Sequence, residues 1–204
     1  WIADLEMEGD LDRGLRFAFQ VENELWVANV RRDDPRAPGY RMRVRTASGE
    51  LIERPVRPSR AFRGTIEGRP DVAVVGGIVE DGILAMVALD DCASDGFFLQ
   101  PASASSDAVA TEPPGTRHLV HRPSTVEAFG ACATDPRTTD FMRRVGEVVP
   151  DGRLRIAELG VDVDRAFLAA HGSPEAVEDH VLAILALVNL QYERQVDVTH
   201  RVTD

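Results

Sequence analysis

Residues 153–202 read RLRIAELGVDVDRAFLAAHGSPEAVEDHVLAILALVNLQYERQVDVTHRV. Leu154 to Val163 has the composition of a strand, and its apolar phase slips around Ala157 and Glu158. Such a slip fits a strand buried on both faces, or one carrying a bulge. Ser173 is a good N-cap and Pro174 suits the first helical position, because the proline lacks an N–H that would be unpaired there anyway. Val177, Val181, Ile184 and Val188 then recur at helical spacing, with Leu185 and Tyr192 widening the stripe. Val196, Val198 and Val202 alternate as a second strand. Strand, helix and strand in this order predict a β-α-β unit with parallel strands and a right-handed crossover. One such unit cannot cover both faces of its sheet, so the expectation is that the natural protein continues beyond Asp204 and that the two strands expose an unfinished edge.

Working back from this unit, Pro150-Asp151-Gly152 is a strong break, and Thr138 to Val145 reads as a short helix. Everything earlier has β character. Leu15, Phe17, Phe19 and Val21 alternate with polar residues. Glu22-Asn23-Glu24 separates them from Leu25 to Val30, which predicts a hairpin. Tyr40, Met42 and Val44 alternate with Arg41, Arg43 and Arg45, a row expected to form a solvated strand face. Phe62 to Glu67 is a short strand. Val72 to Val79 and Ile83 to Leu89 form a second hairpin about Glu80-Asp81-Gly82. Phe97 to Leu99 and His118 to Arg122 are further strands, separated by an Ala/Ser/Pro-rich loop from Gln100 to Thr116. The fold class expected is α+β: a β-rich, antiparallel N-terminal domain over residues 1–148, followed by an incomplete α/β unit over residues 149–204.

Composition narrows the function. The 204 residues carry a formal net charge of −11, which argues against nonspecific nucleic-acid binding. All 23 basic residues are arginine, a usage best ascribed to coding bias. No apolar run is long enough to span a bilayer. The first residue is Trp1 rather than Met, so an export signal is expected upstream. Two cysteines, Cys92 and Cys132, leave open one bridge or two free thiols.

No His-Glu-x-x-His helix, nucleophile elbow or phosphate loop is present. His118 and His121 fall on opposite faces of a strand and read as surface or half-buried histidines. His171 is placed in a loop, His180 on the helix and His200 on a strand, none with a partner at ligand spacing. Gly76-Gly77 lacks the rest of a dinucleotide fingerprint, and close strand packing explains it better. Asp90, Asp91 and Asp95 lack the spacing of a calcium loop and read as a solvated turn.

The 153–202 segment resembles the start of the catalytic domain of reprolysin-like (adamalysin, M12B-type) zinc metallopeptidases. Their first strand of type ELxVxxD, long helix ending in VNxxYER and second strand correspond to Glu158–Asp164, Val188–Arg194 and Val196–Val202. The stretches AFRGTIEGRPDVAVVGGIVEDGILAMVALDD, GFFLQP and RHLVHRPSTVEAFGACATD are similar to the pro-region of bacterial members. The resemblance implies the N-terminal part of a secreted zinc endopeptidase zymogen, acting on proteins or peptides, whose pro-region inhibits its own catalytic domain and assists its folding. Zinc would belong to the parent protein, with a structural calcium in some members. The fragment itself needs no cofactor and is expected to be inactive alone.

The same resemblance supplies the site candidates. Cys132 lies where the family places a cysteine that caps the zinc. A thiolate there would fill the position water needs. The family's following Gly is Ala133 here, and a structural cysteine or a bridge to Cys92 is the alternative. Glu158 matches a glutamate that helps bind calcium in some members; an outward-facing or ion-paired role is the alternative. Arg143-Arg144 precede the break and mark a candidate processing site, or else a basic pair favoured by a helix C-terminus. The rival functions are a non-catalytic β-rich binding or adhesion module and a catalytically dead scaffold. The 12 aromatic residues mostly fit core positions, Trp26 among them, which weakens the carbohydrate-platform version.

Overall fold

The computed structural model describes residues 1–89, 96–102, 117–122 and 152–204. Alternation in the N-terminal part becomes a nine-stranded antiparallel sheet. Its strands are β1 (Ile2–Asp4), β2 (Glu6–Asp10), β3 (Gly14–Val21), β4 (Glu24–Arg32), β7 (Ala61–Ile66), β8 (Arg69–Val79), β9 (Gly82–Ala88), β10 (Gly96–Pro101) and β11 (Arg117–His121). The spatial order is β1-β11-β10-β9-β8-β7-β4-β3-β2. The two outermost strands, β1 and β2, are consecutive in the chain with only Leu5 between them. Both margins of the sheet must therefore meet, and the sheet curls into a nearly closed barrel. The hairpin β5 (Met42–Arg45) and β6 (Leu51–Arg54) stands apart from it.

Both expected hairpins form. Glu22 and Asn23 take φ of 52° and 72° between β3 and β4, the two left-handed residues of a tight hairpin turn. Glu80 and Asp81 join β8 to β9. The inward residues of β3 face those of β4, with Leu15 opposite Val30, Phe17 opposite Ala28 and Phe19 opposite Trp26. Phe62, Ile83, Phe97, Leu99 and Val120 complete the packed interior. Trp26 packs edge-on to Phe97 at 5.2 Å, and Phe17 meets Phe62 at 5.9 Å. Each large side chain buried this way contributes about 1.5–3 kcal/mol.

The C-terminal part follows the expected order with shifted bounds. β12 (Arg155–Leu159) and β13 (Val198–Val202) pair in parallel, from Arg155 opposite Val198 to Leu159 opposite Val202. Between them run α1 (Arg165–His171) and α2 (Pro174–Val196). Ser173 caps α2 by accepting the Ala176 N–H at 3.1 Å, with proline at the start. β12 stops at Leu159, short of Val163, and Asp164 accepts the Phe167 N–H at 2.7 Å to open α1, a helix not anticipated from the sequence. His171 is consequently the last residue of that helix rather than part of a loop. Among the described residues no helix is long and apolar enough to cross a membrane.

The buried face of α2 keeps Val177 and Leu185 of the expected stripe and departs from the rest of it. Leu182, Ala183, Leu185, Ala186 and Leu190 are buried, whereas Ile184 and Tyr192 are 42% and 46% exposed. The helix lies on the outer surface of the barrel against Ala61, Val75, Met86 and Ala88, with Val202 of β13 in the same cluster. Close approach selects alanine here. A Cβ on Gly77 of β8 would sit 2.7 Å from that of Ala183.

Candidate functional site

The seam between the barrel and α2 gathers the buried charge of the described structure. Glu178 and Asp179, one turn into α2, are 7% and 4% exposed. A carboxylate taken out of water needs cationic or hydrogen-bonding partners, and three arginines from the connections flanking β5–β6 supply them. The Arg36 guanidinium grips Asp34 through two bonds of 2.8 and 2.7 Å, and donates to Glu178 at 3.1 Å and to the Arg57 carbonyl at 2.8 Å. Arg57 donates to Asp179 at 3.3 Å and to the Glu175 carbonyl at 2.9 Å. Arg60 reaches the other Asp179 oxygen at 3.3 Å. Arg36 keeps only 6% of its side chain exposed, so this pair is screened little by solvent; Arg57 and Arg60, at 39%, are screened more.

The same arrangement moves proton affinities. Burial would raise the Asp34 carboxyl, but the hydrogen bonds and positive charge of Arg36, with Arg201, outweigh it and hold it below the ordinary range. The Arg36 guanidinium is pushed up, chiefly by its bond to Asp34. Burial, then the neighbouring Glu178 carboxylate, pushes the Tyr40 hydroxyl well above its usual value.

Backbone pairing runs beside the ion pairs. Ala37 N–H donates to the Val202 carbonyl at 2.8 Å, Val202 N–H to the Pro35 carbonyl at 3.1 Å, and Arg41 N–H to the Thr203 carbonyl at 3.1 Å. Arg36 is bridged in parallel to Val202. The segment 35–41 thus meets the outer side of β13 through one isolated bridge and these backbone bonds, which partly cover that edge. The opposite edge, that of β12, has no strand partner among the described residues. Arg201 donates to the Asp34 carbonyl, and Arg43 meets Asp204 at 2.7 Å. At the far end of α2, Asn189 exchanges bonds with the His200 backbone at 2.7 and 3.0 Å, and Arg63 of β7 meets Glu193 at 2.7 Å.

α1 touches α2 through rings. Phe167 and His171 lie 4.4 Å apart, and His171 and His180 lie 4.3 Å apart. Burial, then the neighbouring His171, lowers the proton affinity of His180.

Of the sequence candidates, Cys132, Arg143 and Arg144 lie outside the described residues, as does Cys92, together with the Asp90, Asp91 and Asp95 cluster and the short helix over 138–145. Glu158 is on β12, exposed, with Arg201 beside it across the parallel ladder. Among the described residues no three His, Cys, Asp or Glu side chains gather to hold a metal ion. His118 differs from expectation. It is fully buried, and its Nε2 accepts the Ile83 N–H at 2.8 Å. No local pattern of the helix marks the seam, since Glu178 and Asp179 fall outside its apolar stripe. The available signal was arginine density: Arg36, Arg57 and Arg60 each stand beside or within two residues of a proline. No known protein-family model matches this chain, and no curated protein matches it significantly in sequence.

Proposed function

We propose that the chain is the pro-region of a secreted, reprolysin-like zinc endopeptidase joined to the first β-α-β unit of its catalytic domain, and that the barrel serves as a folding template and holding partner for that unit. The observation that supports this reading is the loan of residues 35–41 to the open edge of β13. A parallel strand pair is marginal alone, because its edges and one face need partners. The barrel supplies backbone partners to β13, an apolar bed for α2 and cations for Glu178 and Asp179. In this reading the chain's part is to fold and hold, and the hydrolytic chemistry belongs to the parent.

The test uses the full precursor and a version lacking residues 1–148. The expected result is a chelator-sensitive peptidase from the first and a misfolded product from the second, with folding restored when residues 1–148 are supplied in trans. A precursor without metal-dependent peptidase activity after processing would remove the proposal. Cys132→Ser tests latency separately: a zymogen equally silent with and without the thiol assigns inhibition to the barrel's coverage alone. A non-catalytic binding module is the second reading, favoured by the cleft considered next.

A further inference from the structure

The outer surface of the barrel carries a cleft of about 390 Å³ across β3, β4 and β7. That size falls within the range of small-molecule sites. Four arginines line it: Arg13 from the β2–β3 turn, Arg16 from β3, Arg31 from β4 and Arg63 from β7, with Asn29 and Gly64 between them. Such a concentration runs against a net charge of −11.

The register sets two of these cations side by side. Arg31 is the direct cross-strand partner of Arg63, and like charges placed so are destabilising. Carboxylates compensate only two of the four. Arg63 bonds to Asp33 at 3.1 Å and Glu193 at 2.7 Å, and Arg16 lies 3.6 Å from Glu67. The guanidinium groups of Arg13 and Arg31 have no ion pair or hydrogen bond among the described residues. Two carboxylate-paired cations and two planar donors without a partner among the described residues, on a face where Gly14 carries no side chain to fill the space, suit a tetrahedral oxyanion, which guanidinium groups bind with paired N–H donors.

We infer that this cleft is a binding site for a small molecule bearing a phosphate or sulfate ester, with Arg13 and Arg31 as the groups that contact the oxyanion. The inference is independent of the protease reading.

The test is calorimetric titration of the folded chain, in a buffer without multivalent anions, with inorganic phosphate, glucose 6-phosphate and a sulfated disaccharide. The expected result is saturable binding of at least one of them, weakening as salt is added. Arg31→Gln and Arg13→Gln should each lower affinity roughly ten-fold, the scale of one lost charge-assisted hydrogen bond. Arg54→Gln removes the same charge from the separate β5–β6 hairpin and should leave affinity unchanged. Preference for the phosphate ester or the sulfated sugar over the free ion identifies the source of the oxyanion; equal binding of all three limits recognition to the oxyanion itself. Absence of saturable binding, or equal losses in Arg54→Gln and Arg31→Gln, overturns the inference. Thermal unfolding of Arg31→Gln without anion supplies the second reading. Its midpoint should hold or rise as the Arg31–Arg63 repulsion is relieved, and a fall would assign Arg31 to the fold instead.

Discussion

Arg36 and Glu178 are both almost wholly buried and face each other at 3.1 Å. Breaking such a pair leaves one charge stranded, at a cost of about 3–5 kcal/mol, whereas replacing both partners by apolar residues is often nearly neutral. Arg36→Met, which leaves the buried Glu178 with Arg57 at 3.6 Å as its cation, should therefore lower the unfolding free energy in urea by that amount, and adding Glu178→Leu should recover part of it. Equal losses in the single and double variants would mean that Asp34 and Arg57, not the pair, set the cost. A second residue-scale expectation concerns acid. His180 has its proton affinity lowered below the ordinary value of 6.5, first by burial and then by His171; His121 is lowered chiefly by burial. The unfolded chain therefore takes up these protons first as pH falls. Their contribution to stability is complete above about pH 6.5 and declines below it. The melting temperature should fall between pH 7 and 5, and His121→Gln with His180→Gln should flatten that slope. Gly82 adds a steric case. Its φ is 142°, and a Cβ there would lie 2.4 Å from the buried His118 ring, so Gly82→Ala should destabilise by about 1–3 kcal/mol, read by denaturant unfolding.

At the scale of elements, α2 rests on β8 where Gly77 meets Ala183. Gly77→Val should lift the helix from the sheet at a cost of about 1–3 kcal/mol, with new amide exchange in α2 before the interior strands β3 and β4 respond. Simultaneous exchange in all three would contradict this. The same contact explains what the sequence disclosed and what it hid. Alternation on β3 and β4 and the Ser173-Pro174 cap are local signals, and those elements stand where they were expected. β1 and β2 escaped notice because Glu6–Asp10 is exposed throughout and carries no apolar alternation. The stripe names only part of the buried face of α2, Val177 and Leu185, because the helix is covered on two sides, by barrel and by β13. Small residues at Ala183 and Ala186 mark its closest packing better than Ile184 or Tyr192 does. The covering of β13 by residues 35–41 is a contact between positions more than 160 apart, which no local pattern reports. The cleft arginines lay in plain sight, but only the register of β4 with β7 sets Arg31 against Arg63.

At the scale of the whole molecule, the described residues form one connected body rather than a barrel with an appended tail. α2 shares a hydrophobic cluster with β7, β8 and β9, and β13 is bridged to the 35–41 segment. Native-state hydrogen exchange should accordingly show α2 and the barrel strands opening with similar free energies. Protection of α2 several kcal/mol below that of the barrel would instead divide the molecule near Gly152.

The grip of residues 35–41 on β13 changes what scission of the chain would accomplish. Were the chain cut between Arg122 and Gly152, the backbone bonds of residues 35–41 to β13, the apolar bed and the Arg36–Glu178 pair would still join the two pieces. The two pieces would travel on as a non-covalent heterodimer, and liberation of the C-terminal piece would be governed by its off-rate rather than by hydrolysis of the peptide bond.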